Sequence, residues 1–202
     1  MMTLFNPQIH HRRSLRLNGY DYSLAGLYFI TISCHDKICR FGNVVNNEMV
    51  LNEYGKVAYE EWLKLSERFS NFELDVFQIM PNHMHGIVWL TDVGATLAVA
   101  QTRAGASPAP TVAQPHTVAQ NRAGASRAGA SPAPTVCDIV GAYKSLVANR
   151  CLDIYKSKNE MMGKLWQRNY YEHIIRNDFA YERISEYIIQ NPLKWMDDKY
   201  FC

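Results

Sequence analysis

Extended and helical patterns alternate along the chain in the order β, α, β, β, α, β, α, which predicts an α+β fold. The expected architecture is a ferredoxin-like or RRM-like split βαβ antiparallel sheet with helices on one face and a further C-terminal helix. Three observations carry it. Two apolar, β-branched runs, "FELDVFQIM" and "HMHGIVWL", are separated by only a Pro-Asn turn. A charged amphipathic helix precedes them, and a compositionally distinct repeat separates them from the second half.

Taken in order, residues 27–36, "LYFITISCHD", are β-branched and aromatic and read as the first strand. Residues 52–69 place Val57, Trp62, Leu65 and Phe69 at helical spacing with charge between them. Residues 72–80 and 83–90 are the second and third strands. Residues 136–156 read as a second helix capped by Asp138, and residues 164–176 as a fourth extended segment. The last helix starts at Asn177, a good N-cap, and ends near Asn191 because Pro192 follows.

Residues 94–136 differ from their surroundings. "RAGASPAPTV" occurs twice, "RAGAS" a third time and "VAQ" three times, with no aromatic residue and charge only from Arg103, Arg122 and Arg127. This composition buries too little apolar surface to offset its ordering entropy, and predicts a disordered insertion in a single domain spanning 1–202. Residues 1–26 form an N-terminal arm with a basic cluster, Arg12, Arg13 and Arg16 beside two histidines. The total charge of +2 does not by itself identify a nucleic-acid binder. No apolar run is long enough to span a bilayer and the start lacks a signal-peptide core, so a cytoplasmic location without membrane contact is expected. Five scattered cysteines without a C-x-x-C read as reduced and mostly structural.

In a strand, alternate side chains share a face, so His83 and His85 point the same way. Two neutral imidazoles there can share one divalent cation, or be satisfied by hydrogen bonds in the core. On the last helix Tyr187 and Asn191 lie four residues apart on one face. That pair can present a phenol and an amide oxygen to a metal; equally, the tyrosine can be core and the asparagine a helix stop.

Four blocks, "RRSLRLNGYDYSLAGLYFITISCHDKICRFG", "PNHMHGIVWL", "LWQRNYYEHIIRND" and "YERISEYIIQNP", resemble the REP-associated tyrosine transposases, within the HUH single-strand transposases of the insertion-sequence type. The resemblance spans nearly the whole chain outside residues 94–136. It implies that His83 and His85 are metal ligands, that Tyr187 is the catalytic tyrosine and that Asn191 is the third ligand. The wider family uses Gln there, but the neighbouring Gln190 is out of phase with Tyr187. It further implies that Arg12, Arg13 and Arg16 contact hairpin DNA and that Trp166, Arg168 and Tyr171 lie near the cleavage site. His173, in a Glu-His pair with Glu172, serves DNA contact or structural support.

The implied activity is cleavage and rejoining of single-stranded or hairpin DNA, with Mg²⁺ or Mn²⁺ as cofactor. Attack by Tyr187 would give a 5′-phosphotyrosine and a free 3′-hydroxyl, a link reversible without ATP; no phosphate-binding G-x-x-x-x-G-K-[ST] loop occurs. One sequence leaves open whether a site forms within one subunit or across a homodimer. Two rivals remain: a repeat-hairpin binder of the same descent that does not cut, and a metal phosphodiesterase that uses water.

Overall fold

The structure, a computed structural model, describes residues 21–91 and 133–202. The predicted contacts Arg12, Arg13 and Arg16, and residues 94–132 of the repeat, lie outside the described residues. The elements are β1 (Gly26–Ser33), β2 (Gly42–Val45), β3 (Glu48–Leu51), α1 (Glu53–Leu63), α2 (Leu65–Arg68), β4 (Phe72–Ile79), β5 (His83–Leu90), α3 (Val136–Ser157), β6 (Tyr171–Ile175) and α4 (Asp178–Ile189). Four strands form one antiparallel sheet in the order β4-β5-β1-β6. With β2 and β3 set aside as a separate hairpin, this is the predicted split βαβ arrangement.

Alternation divides the sheet into two buried faces. Tyr28, Ile30 and Ile32 of β1 and Met84, Val88 and Leu90 of β5 pack under α1 and α3 with Trp62, Tyr143 and Val147. Leu27 and Phe29 of β1, Ile87 and Trp89 of β5 and Ile175 of β6 face the other way, toward Tyr181, Ile184 and Ile188 of α4. The C-terminal helix therefore covers the face that α1 and α3 leave, and β5 is buried on both sides. Gly86 sits where a β-carbon would stand 3.0 Å from the Trp62 ring, so the glycine lets that indole approach the strand closely.

Several local readings need correction. The hairpin β2–β3 was not expected, although Asn46 and Asn47, both at positive φ (52° and 65°), supply the two-residue turn chemistry that joins such strands. The helix expected over 52–69 breaks at Lys64 into α1 and α2. Thr135, not Asp138, caps α3: its hydroxyl accepts from the Asp138 N–H while the Asp138 carboxylate accepts from the Thr135 N–H, a reciprocal box. The repeat thus runs into the folded domain, since Val136, the last residue of its second full copy, is fully buried in the core. Only Tyr171–Ile175 of the expected extended segment 164–176 pairs as a strand; Trp166 makes an isolated bridge to Cys34. Cys39 and Cys202 form a disulfide across 163 residues, against the expectation of reduced thiols. Cys34 and Cys151 are free and buried, and burial pushes their thiols up to about 12 and about 11. No helix among the described residues is long and apolar enough to cross a membrane.

The edges of the repeat meet at one residue. The Asn71 carbonyl accepts from the Thr91 N–H (2.9 Å) and the Asn71 amide donates to the Pro134 carbonyl (2.9 Å). Replacing residues 94–132 by a short Gly/Ser linker is therefore expected to leave the melting temperature within a few degrees, because closing a longer loop changes its entropy only slowly. A large drop in thermal unfolding temperature would show that the segment contributes packing. Gly55, in the first turn of α1, lies with its Cα against the Phe41 carbonyl, which a β-carbon would strike. Helix propensity alone favours alanine there. Gly55→Ala should instead destabilise by about 1–3 kcal/mol in denaturant titration, because overpacking against backbone cannot relax.

Candidate functional site

The turn that joins β4 to β5 accounts for Pro81 and Asn82 in front of the histidines. The Met80 N–H donates to the His83 carbonyl (2.8 Å) and closes the hairpin; the Pro81 carbonyl accepts from the N–H groups of Arg40 and Phe41, and the Asn82 carbonyl from that of Cys34. The Asn82 side chain is buried, and its amide nitrogen donates to the carbonyls of Lys37 (2.9 Å) and Tyr200 (2.6 Å). Its oxygen is then left facing His83 Nδ1 at 2.9 Å. A carbonyl oxygen only accepts, so His83 carries its proton on Nδ1 and presents a bare Nε2.

His85 is held by Thr31, whose hydroxyl lies 2.8 Å from Nδ1. Its Nε2 is 3.0 Å from His83 Nε2 and 3.2 Å from the Tyr187 hydroxyl. Burial pushes His85 down to about 3, with the positive charge of Lys199 adding to the effect. Burial likewise takes His83 well below the usual histidine range, reinforced by His85 and Lys199. Both rings are therefore neutral at neutral pH, the form that ligates metals.

Helix α4 starts at its Asn177 cap as expected, and its C-terminal half brings Tyr187 edge-on to the His85 ring at 5.1 Å. Tyr187 is 39% exposed, unlike the buried His85 that its hydroxyl faces. Its pKa is raised above that of an ordinary phenol, first by burial and then by the Asp198 carboxylate, while a hydrogen bond with the Asn191 side chain works the other way. Asn191 is buried; its amide donates to Asp198 Oδ2 (3.2 Å), and its Oδ1 is a buried acceptor with no hydrogen-bond partner. Leaving such an acceptor unpaired costs free energy that a cation would recover. Gln190 instead hydrogen-bonds Glu186.

After α4 a short 3₁₀ turn, Pro192–Asp197, folds the chain back over the histidines. The Tyr200 ring lies 4.4 Å and the Trp195 ring 6.0 Å from that of His83. Asp198 joins the site: ligand atoms of His83, His85 and Asp198 lie within 4.8 Å of one another. Two imidazole nitrogens and a carboxylate make a mixed N/O donor set that could hold a divalent ion. Sequence reasoning missed Asp198, Asn82 and Thr31. A carboxylate soon after the tyrosine helix was the one available signal for Asp198, and it is weak without the chain reversal.

The remaining predicted residues are spread out. Trp166 is half-buried against Phe41 and Tyr143, with its indole N–H donating to the Lys144 carbonyl (3.0 Å). Arg168 is exposed, and its carbonyl accepts from Lys144. Tyr171 and His173 are exposed on β6, and Glu172 is buried between them.

Both buried histidines exclude protons that the unfolded chain takes up below about pH 6.5. In chelator-treated protein the contribution of His85 is complete above that value and is lost as pH falls toward about 3, because protons then favour the unfolded state, and that of His83 changes in the same direction. Denaturant midpoints should fall between about pH 7 and pH 5 by the equivalent of about 2 kcal/mol from His85, and His85→Gln should flatten the dependence. An equal slope in both proteins would mean that His85 is not held neutral.

No protein-family model matches the sequence. The structure of a REP-associated tyrosine transposase bound to a REP hairpin is similar to 89% of this chain and 74% of its own, with a TM-score of 0.50 at 16% identity. That likeness is one of fold. An uncharacterized protein of Haemophilus influenzae Rd is 36% identical over 203 residues, covering 100% of this chain and 99% of the relative. Identity at that level over the full length of both places them together: the chain belongs to the family of that Haemophilus influenzae protein, and it carries the fold of a tyrosine transposase.

Proposed function

We propose that the protein is a metal-dependent HUH-type transposase of the REP-associated tyrosine class, cleaving and rejoining single-stranded or hairpin DNA through Tyr187. One observation carries this reading: the hydroxyl of a partly exposed tyrosine, on its own helix, stands 3.2 Å from an imidazole of a buried two-histidine pair. A tyrosine serving only as core would be turned inward like Tyr181 and Ile188 on the same helix.

His83 and His85, with Asn191 Oδ1 and the Asp198 carboxylate, are the groups that would hold Mg²⁺ or Mn²⁺. When bound, such an ion polarises a phosphate oxygen and offsets the charge that develops during displacement. Thr31 and Asn82 orient the two rings, as hydrogen-bond partners of metal-binding histidines do. The Tyr187 oxygen bonds to phosphorus while the bond to the 3′ oxygen breaks; the phenol's proton goes to solvent and the leaving oxygen takes one up. The product is a 5′-phosphotyrosine and a free 3′-hydroxyl, whose reverse attack rejoins strands.

The test is incubation with labelled hairpin DNA and Mn²⁺, followed by denaturing electrophoresis. A covalent protein–DNA adduct is expected that disappears with chelator, and that falls by about a thousandfold or more in Tyr187→Phe. Cleavage with no adduct would identify a hydrolase that uses water. Hairpin binding without cleavage under any divalent metal would leave a non-cutting DNA-binding protein.

A further inference from the structure

Helix α4 leaves β6 at Asn177 and crosses to pack on β4 and β5. On that same face, the N-terminal end of β6 leaves Tyr171 41% exposed. The strand register shows what lies there. His85, Thr31 and Tyr171 form one row across β5, β1 and β6, and Ile87, Phe29 and His173 form the next. The row that holds the metal-site histidine therefore runs directly onto Tyr171.

The rings in this corner are continuous. Phe29 stacks on His85 (5.5 Å, 29°) and stands edge-on to both Tyr187 (6.2 Å) and Tyr171 (6.0 Å). Tyr171 is 41% exposed and His173 is exposed beyond it. The charges nearby along the chain suit an anion: Lys164, Arg168 and Arg176 are all exposed on the segment that forms β6. The segment's one carboxylate, Glu172, alternates to the opposite face and is buried. Flat aromatic surface with cations around it is what unpaired nucleotides require, their bases stacking while their phosphates are neutralised. A duplex offers no free base faces to such a surface, and a peptide adding to the β6 edge would engage backbone rather than these rings.

We infer that this corner of the sheet, formed by Phe29, Tyr171 and His173, is a stacking platform for unpaired DNA nucleotides flanking the scissile phosphate, which sets the register of that strand over Tyr187. The inference rests on reading the site as a DNA-processing one, and it adds a surface to that site. Tyr171 is then a positioning residue. It holds the strand and does not touch the reacting phosphorus.

The test uses the full chain in a Tyr187→Phe background, so that no cleavage occurs, with two fluorescent probes: a short oligothymidylate and a blunt hairpin without an unpaired extension. Tyr171→Ala should weaken oligothymidylate binding about tenfold, leave blunt-hairpin binding unchanged, and be rescued by Tyr171→Phe. Quenching of a 2-aminopurine placed in the oligonucleotide should be lost with the ring and return with phenylalanine. Oligothymidylate binding that is absent, or equal in Tyr171→Ala and its parent, would overturn the platform, as would equal loss for both probes. A cooperative melt of each variant excludes unfolding as the cause. Failure of the adduct experiment with ring-dependent binding intact would remove the cleavage reading and keep the platform; an adduct without ring-dependent binding would do the reverse.

Discussion

Two imidazoles lie side by side where solvent does not reach, and the cost of charging them there governs the rest of the site. Desolvation keeps both rings neutral, and a neutral ring needs one hydrogen-bond donor or acceptor for each nitrogen. Thr31 and Asn82 meet that need on the Nδ1 side. The Nε2 atoms are left to face each other and Tyr187. Burial of β5 on both faces, by α1 and α3 on one side and α4 on the other, creates this condition. The helix that carries the tyrosine is thus also part of what dries the histidines.

The C-terminal segment closes the same site from a third direction. Tyr200 contributes its ring to His83 and its carbonyl to Asn82, and Asp198 faces the rings and receives the Asn191 amide. The Cys39–Cys202 disulfide fastens the end of this segment to the loop after β1, and Lys37 donates to the Lys199 carbonyl nearby. The carboxylate brought in this way raises the pKa of the Tyr187 phenol. On the proposed reading, an ion held by the histidines and Asp198 would offset that carboxylate's field, since a bound ion is the largest local charge. Activation of Tyr187 and metal occupancy would then be one question.

What the sequence made legible follows the range of each interaction. Strand alternation placed His83 and His85 on one face, and helical spacing placed Tyr187 near Asn191, because both patterns repeat within a few residues. The split βαβ order was likewise readable from consecutive elements. Asp198 was not, because the reversal after Pro192 that returns it to the histidines leaves no periodic trace. Nor was the partner of Cys39, 163 residues away. Thr135 was hidden by composition: it is the penultimate residue of a repeat copy and also a helix cap. Asn46 and Asn47 were legible turn chemistry that went unread between two short strands.

The fixed tautomer of His83 has a consequence for proton accounting. Histidine ligands ordinarily make metal affinity depend on pH, because a protonated ring must lose its proton before it can bind. Here the Asn82 oxygen holds the single proton of His83 on the far nitrogen, and burial keeps a second proton off both rings well into the acid range. On the proposed reading, uptake of a divalent ion near neutral pH would displace no proton from either imidazole, because the folded scaffold would already have done the deprotonation.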